Sequence, residues 1–158
     1  MRYPDLPELT ELFPALNSDN HAITSEAVSK YNCVAWAVGS THHWWQAAHV
    51  RGYYWPPGVS TDHTLQSWIH AFQIHGYSLC SHGEHEPGWE KLAIYVLDDD
   101  DPQHVARQLR NGEWTSKLGE LEDISHKTLD VLEGDGPEGY GRARHFLKKH
   151  RPDWVTNP

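Results

Sequence analysis

Residues 91–118 read KLAIYVLDDDDPQHVARQLRNGEWTSKL, and this stretch decides the fold. Lys91–Leu97 is apolar and rich in β-branched and aromatic side chains, the composition of a buried strand. Four aspartates at 98–101, followed by Pro102, end it in a solvated turn. His104–Arg110 and Glu113–Leu118 then flank Asn111-Gly112. That dipeptide predicts a hairpin closed by a two-residue type I′ turn, because both residues tolerate positive φ.

Upstream of the strands the pattern becomes helical. Asn32 is a good N-cap, and Cys33–Val38 forms a short apolar run stopped by Gly39. A longer helix is expected over Thr61–His75, capped by Thr61 or Asp62. Leu65, Trp68, Ile69 and Phe72 recur on one face, and Gly76 ends it. Tyr77–Cys80 reads as a short strand. Past Gly119 the chain turns acidic, and short helices are expected over Ser125–Glu133 and Arg142–His150. Helices followed by antiparallel strands predict an α+β fold, with the Cys33 helix packed on a small antiparallel sheet. One domain is expected over 21–150. It follows an arm at 1–20, where Pro4, Pro7 and Pro14 interrupt any long helix, and precedes a tail at 151–158.

Composition narrows the function. The 158 residues suit a single domain. Acidic residues outnumber basic ones 22 to 13, for a net charge of −9. Nucleic acids and anionic membranes attract a basic surplus, so neither is an expected partner. No apolar run approaches the roughly 20 residues of a membrane span. The opening Met-Arg-Tyr-Pro-Asp lacks a signal peptide's apolar stretch, which points to the cytoplasm. Cys33 and Cys80 are expected there as thiols.

Three positions could carry chemistry. Cys33 would sit in the first turn of a helix, where free N–H groups and the helix dipole stabilise a thiolate nucleophile. On this feature alone the commoner reading is a small buried hydrophobe. His104 opens a strand after the acidic turn and is the candidate base for Cys33. A third group would orient its imidazole. Ser116, Lys117, Glu122, Asp123 and His126 lie within plausible reach, and a carboxylate such as Asp123 would be the strongest.

These residues suggest a family. Asn32-Cys33-Val34-Ala35-Trp36 resembles the Cys-bearing helix start of the NlpC-type branch of papain-like cysteine peptidases, where Asp-Cys-Ser-Gly fills the same place. HVARQLRNGEWTS, from His104 to Ser116, is similar to that branch's second motif. There a His opens a strand and a third polar residue, commonly His, follows about twelve positions on; here that position holds Ser116. The resemblance implies a papain-like fold and the order Cys33, His104, Ser116.

A closer resemblance covers roughly residues 10–150. It is to a group of uncharacterised bacterial proteins sharing NC-x-AWA-x-G, EK-[IL]-A-[IL]-Y, H-x-A-R-Q, G-x-W-T-S-K-L-G, D-I-x-H and a late Tyr-Gly. Here these are Asn32–Gly39, Glu90–Tyr95, His104–Gln108, Gly112–Gly119, Asp123–His126 and Tyr140-Gly141.

The expected function is a cysteine-dependent hydrolase or acyl transferase acting on an amide or thioester bond of a peptide, amide or protein substrate. Cys33 and His104 would carry it, with Ser116 or Asp123 as the orienting group and no cofactor. Asn32, Trp36, Trp44, Trp45, Trp55, Trp114 and Lys117 are the expected binding residues. The aromatic segment Trp44, Trp45, Tyr53, Tyr54 and Trp55 could hold a substrate or close the core. Two rival readings stay open. One is an inactive papain-like fold that binds a peptide or protein. The other is a zinc protein using Cys80, His82 and His85, with Glu84 and Glu86 nearby.

Overall fold

In the computed structural model, the described residues are 12–25, 31–39, 44–46, 53–118, 122–135 and 139–154. The strands are β1 (His21–Ser25), β2 (Trp44–Trp45), β3 (Tyr53–Tyr54), β4 (Ser78–Cys80), β5 (Trp89–Val96), β6 (Pro102–Gln108), β7 (Trp114–Lys117), β8 (Asp123–His126) and β9 (Arg142–His150). The helices are α1 (Cys33–Ala37) and α2 (Leu65–Ile74), with 3-10 turns at Asp130–Leu132 and Pro152–Trp154. Seven strands form one sheet in the order β1-β8-β7-β6-β5-β9-β4, every neighbouring pair antiparallel. β2 and β3 make a separate parallel pair. The architecture is α+β.

Alternation along the strands divides the sheet into two faces. Leu92, Ile94, Val96, Val105 and Leu147 face the helices. Val34, Ala35 and Ala37 of α1, with Leu65, Trp68 and Phe72 of α2, pack on them. Ala93, Tyr95, Ala106, Trp114 and Ile124 face the other way, covered by Phe13, Leu16, Val131 and Leu132. Fully burying an aliphatic or aromatic side chain contributes about 1.5–3 kcal/mol. β5, buried on both faces inside the sheet between β6 and β9, therefore anchors both layers. Phe13 and Leu16 belong to this core, so the second half of the N-terminal arm is packed against the sheet.

Several expectations need correction. Thr64, not Thr61 or Asp62, caps α2, its hydroxyl accepting from the Ser67 amide at 3.1 Å. Arg142–His150 is a strand, not a helix. It pairs with β5 from Trp89↔His150 to Val96↔Arg142 and with β4 on its other side, so tertiary pairing overrides helix-friendly Arg, Ala, Leu and Lys. Ser125–Glu133 holds the end of β8 and a 3-10 turn instead of a helix.

The most consequential correction is at Asn111-Gly112. Gly112 N–H donates to Leu109 O at 2.9 Å, and Leu109 N–H donates to Glu113 O at 2.7 Å. Gly112 has φ +93°, while Asp100 is the one non-glycine with positive φ among the described residues. This is a three-residue loop, a type I turn followed by a left-handed glycine, not a two-residue type I′ turn. The extra residue sets the register Arg107↔Thr115 and Gln108↔Trp114. A one-residue slip would send every side chain of β7 to the opposite face. The loop therefore puts Ser116, and not Lys117, on the same face as His104.

Gly112→Ala adds a Cβ that meets only ordinary contact distances, 3.6 Å from His85 at the closest. Its cost is thus the left-handed backbone alone, about 1–2 kcal/mol. Urea unfolding should give that loss for Gly112→Ala and a smaller one for Gly112→Asn. Equal stability of all three proteins would refute the turn assignment.

Candidate active site

Asn32 fixes the start of α1. Its Oδ1 accepts from the Ala35 amide at 3.2 Å and the Trp45 amide at 3.1 Å, and its Nδ2 donates to Trp45 O at 2.6 Å. The cap thus also ties the aromatic segment to the helix. Trp36 anchors the helix to the sheet, with Nε1 donating to Thr115 Oγ1 at 3.0 Å and Arg107 lying over its ring at 5.3 Å. Cys33 is buried at the helix start. Its sulfur faces the backbone amides of Val105, Val34 and Cys33 itself and the charge of Lys117. All four favour a thiolate, but burial outweighs them and pushes the thiol up to about 11. The helix start alone does not create a thiolate at neutral pH.

Behind the sulfur the β6–β7 ladder stops. The two strands pair at Arg107↔Thr115 and Gln108↔Trp114, and no further pairing continues towards Val105 and Lys117. The Val105 amide turns to the sulfur instead. Val105 and Cys33 lie in the helix-side core, so alternation along β6 places His104 on the other face. His104 pairs with Tyr95 across β5 and stacks on Tyr140, the rings 4.3 Å apart and 5° from parallel. Tyr140 is held there by a tight turn. Gly141 has φ +82°, and a Cβ on it would meet Val96 O at 2.2 Å. Cys33 also lies within electrostatic reach of Tyr140, whose hydroxyl is pushed up by burial first and by the Cys33 charge second. Thiol and imidazole thus approach β6 from opposite sides, with Tyr140 stacked on the ring and within electrostatic reach of the sulfur. The expected hydrogen bond between them is not made, and His104 Nδ1 has no hydrogen-bond partner.

His104 Nε2 lies 2.9 Å from Ser116 Oγ, and Ser116 Oγ lies 2.8 Å from His126 Nε2. His126 Nδ1 lies 2.8 Å from Thr128 O. Burial lowers the pKa of both histidines, to about 4 for His126 and well below 6.5 for His104, so both are neutral. Their protons can then be assigned. A carbonyl only accepts, so His126 Nδ1 carries the hydrogen and its Nε2 is bare. Ser116 donates its single hydrogen there, which leaves its oxygen to accept from His104 Nε2–H. His104 Nδ1 is therefore an unprotonated, buried lone pair.

Ser116 is the residue on His104. Asp123 is not: its Oδ2 accepts from Tyr31 Oη at 2.6 Å and Ser25 Oγ at 2.7 Å on the helix side. Lys117 is buried on that same side, 4.0 Å from Asp123 Oδ1. His126 and Tyr140 complete the histidine side. His126 is among the groups expected within reach of His104 and reaches it through Ser116, whereas the Tyr-Gly motif marks Tyr140 without indicating that it stacks on His104. Trp45 is buried, and Tyr54 and Trp55 pack on the helix-side core, so the described part of the aromatic segment closes the core. The Trp44 side chain, His42 and His43 lie outside the described residues. Trp114 packs in the opposite core.

Cys80 turns to His82 O at 3.4 Å, and the buried ammonium of Lys91 takes Glu86 at 2.6 Å. Among the described residues no three His, Cys, Asp or Glu side chains gather in a way that could hold a metal ion. A cleft lined by Leu97, Asp98, Asp99, Asp135, Gly141 and Arg142 opens next to Gly141, the neighbour of Tyr140. Among the described residues no helix is long and apolar enough to cross a membrane.

Two measurements check this site. Unfolded histidines protonate near 6.5, so the unfolded chain binds more protons below that pH. The stability held by neutral His104 and His126 is complete above pH 6.5 and is lost as pH falls towards 4. His126 should account for about 2–3 kcal/mol between pH 7 and 4.5. Unfolding free energies of wild type and His126→Gln should converge over that interval; parallel curves would mean that His126 is not buried neutral. In the second, iodoacetamide at pH 7 should modify Cys80 before Cys33. The reverse order would show a preformed thiolate.

The chain belongs to the family described as a domain of unknown function, DUF7689, whose model matches residues 22–148. No curated protein and no solved structure matches it.

Proposed function

We propose that this DUF7689 member is a cytoplasmic cysteine-dependent hydrolase or acyl transferase of papain-like ancestry, acting on an amide or thioester bond of a peptide or protein. The observation that carries the reading is the bare Nδ1 of His104, buried without a hydrogen-bond partner on the strand whose next residue, Val105, turns its amide to the Cys33 sulfur. An unpaired buried acceptor costs about 1–3 kcal/mol. The Thr128–His126–Ser116 chain aims that lone pair instead of satisfying it.

Because the thiol and the imidazole are both neutral, the proton moves during attack and no ion pair precedes it. Attack requires the sulfur and the ring to come within hydrogen-bond reach of each other. Sγ forms a bond to the carbonyl carbon as its proton passes to His104 Nδ1. The positive charge that results is shared with Ser116 and His126. The Cys33 amide is one donor for the oxyanion. Collapse breaks the carbon–nitrogen or carbon–sulfur bond, and His104 returns its proton to the leaving group. Water or an amine then takes the acyl group from Cys33.

The buried sulfur, with its thiol at about 11, favours a second reading: an inactive member that binds a peptide or protein. One experiment separates the two. The protein is incubated with p-nitrophenyl acetate and followed by intact mass and released nitrophenolate. The enzyme reading expects acetylation at Cys33, absent in Cys33→Ala and slowed about 10²–10⁴-fold in His104→Ala. Ser116→Ala should lose about tenfold. The rate should stay level from pH 9 down through 6.5, because His104, its pKa depressed well below that value by burial, is still a neutral base there. No acetylation at Cys33, or a rate climbing continuously with pH and indifferent to His104→Ala, would leave the binding module.

A further inference from the structure

We infer that Lys117 supplies the fixed positive charge that stabilises the anion formed at Cys33, and that Asp123, Tyr31 and Ser25 exist to aim it. The inference deepens the proposed function and rests on Cys33 being the reacting group.

The register carries the argument. Trp36 of α1 sits on the Arg107↔Thr115 pair. The next pair of positions on that face is Val105 and Lys117, beyond the end of the β6–β7 ladder. Cys33 is one helical turn before Trp36, and its sulfur takes the Val105 amide. The opposite position across that gap is Lys117, whose side chain is fully buried. Its ammonium lies 5.5 Å over the Tyr31 ring, and Tyr31 in turn stacks on Trp36 at 5.6 Å. A buried ammonium is expensive unless paired. The pairing with Asp123 Oδ1 is loose, at 4.0 Å. Asp123 commits Oδ2 to two hydroxyls, Tyr31 at 2.6 Å and Ser25 at 2.7 Å. Those hydroxyls hold Oδ2, which leaves Oδ1 as the carboxylate oxygen that faces Lys117 and orients it.

The groups whose charge reaches the sulfur are Lys117 on β7 and Tyr140 before β9, with Asp123 on β8 and Tyr31 before α1 set against Lys117 and His104 stacked on Tyr140 on the far face of β6. His104 is neutral, and burial holds the Tyr31 and Tyr140 hydroxyls protonated. Lys117 is the cation among them. An oxyanion formed beside the sulfur would feel the same charge, in a setting where low polarity magnifies it.

The test reads the sulfur and not turnover. In full-length protein carrying Cys80→Ser, iodoacetamide alkylation of Cys33 is followed from pH 7 to 11 by intact mass. Lys117→Met should move the alkylation profile up by about one pH unit or more, roughly a tenfold slower rate at a given pH. Lys117→Arg should stay within about threefold of the parent. A Lys117→Met protein with the parent's near-ultraviolet circular dichroism and an unmoved or lowered profile would overturn the inference. If the single variant does not fold, Lys117→Met with Asp123→Asn removes both buried charges together and carries the same expectation. Alkylation that depends on Lys117 in a chain that never acetylates would sink the proposed function alone. Acetylation of Cys33 without Lys117 dependence would sink only this inference.

Discussion

The carbonyl of Thr128 sets the direction of every hydrogen bond in the histidine cluster. It accepts from His126 Nδ1 at 2.8 Å, and in a neutral imidazole that choice fixes everything downstream. Ser116 can then give its hydrogen only to His126, and His104 can give its own only to Ser116. A basic nitrogen is left pointing into the protein with its lone pair free. Burial enforces the arrangement by keeping both rings uncharged. The cluster is thus not a collection of satisfied core histidines, which would end in a donor–acceptor match at both ends.

The sheet separates two polar systems. On one face lie Cys33, Lys117, Asp123, Tyr31 and Ser25; on the other lie His104, Ser116, His126 and Tyr140. Between them β6 and β7 cease to pair, and at that break one backbone amide is released to the sulfur. Opposing effects act on that sulfur. Three amides and an ammonium favour the anion, while desolvation opposes it and prevails. Anything that lets polar atoms reach the sulfur weakens the larger of the two terms, so the balance responds to what occupies the site.

Much of the frame was legible in the sequence, because apolar periodicity and punctuation are local signals. The Cys33 helix, its Asn32 cap, the Gly39 stop and the central strands follow from a few neighbouring residues each. The misassigned segment at Arg142–His150 owes its conformation to pairing with β5 and β4, which no local preference encodes. At the site, position twelve after His104 led to Ser116, whereas charge strength pointed to Asp123, which the strand's alternation carries to the other face. Asn111-Gly112 signalled a hairpin correctly. The loop length, and with it the facing of Ser116 and Lys117, depends on whether Asn111 or only Gly112 takes positive φ. Two-residue and three-residue loops share the same dipeptide, so sequence alone left the register undecided.

The position of β9 inside the sheet has a bearing on how the chain assembles. β5 to β8 form a meander of sequential neighbours, which can pair while synthesis is still under way. β4 has no place in the sheet until β9 has been made and inserted beside β5, although it leaves the ribosome before any strand of the meander. During that interval β4 lacks the strand that joins it to the rest of the sheet. The apolar surfaces of β5 that β9 later covers stay open to solvent and to other chains. Truncation within the last strand would therefore release the whole β4 edge, far from the cut in sequence.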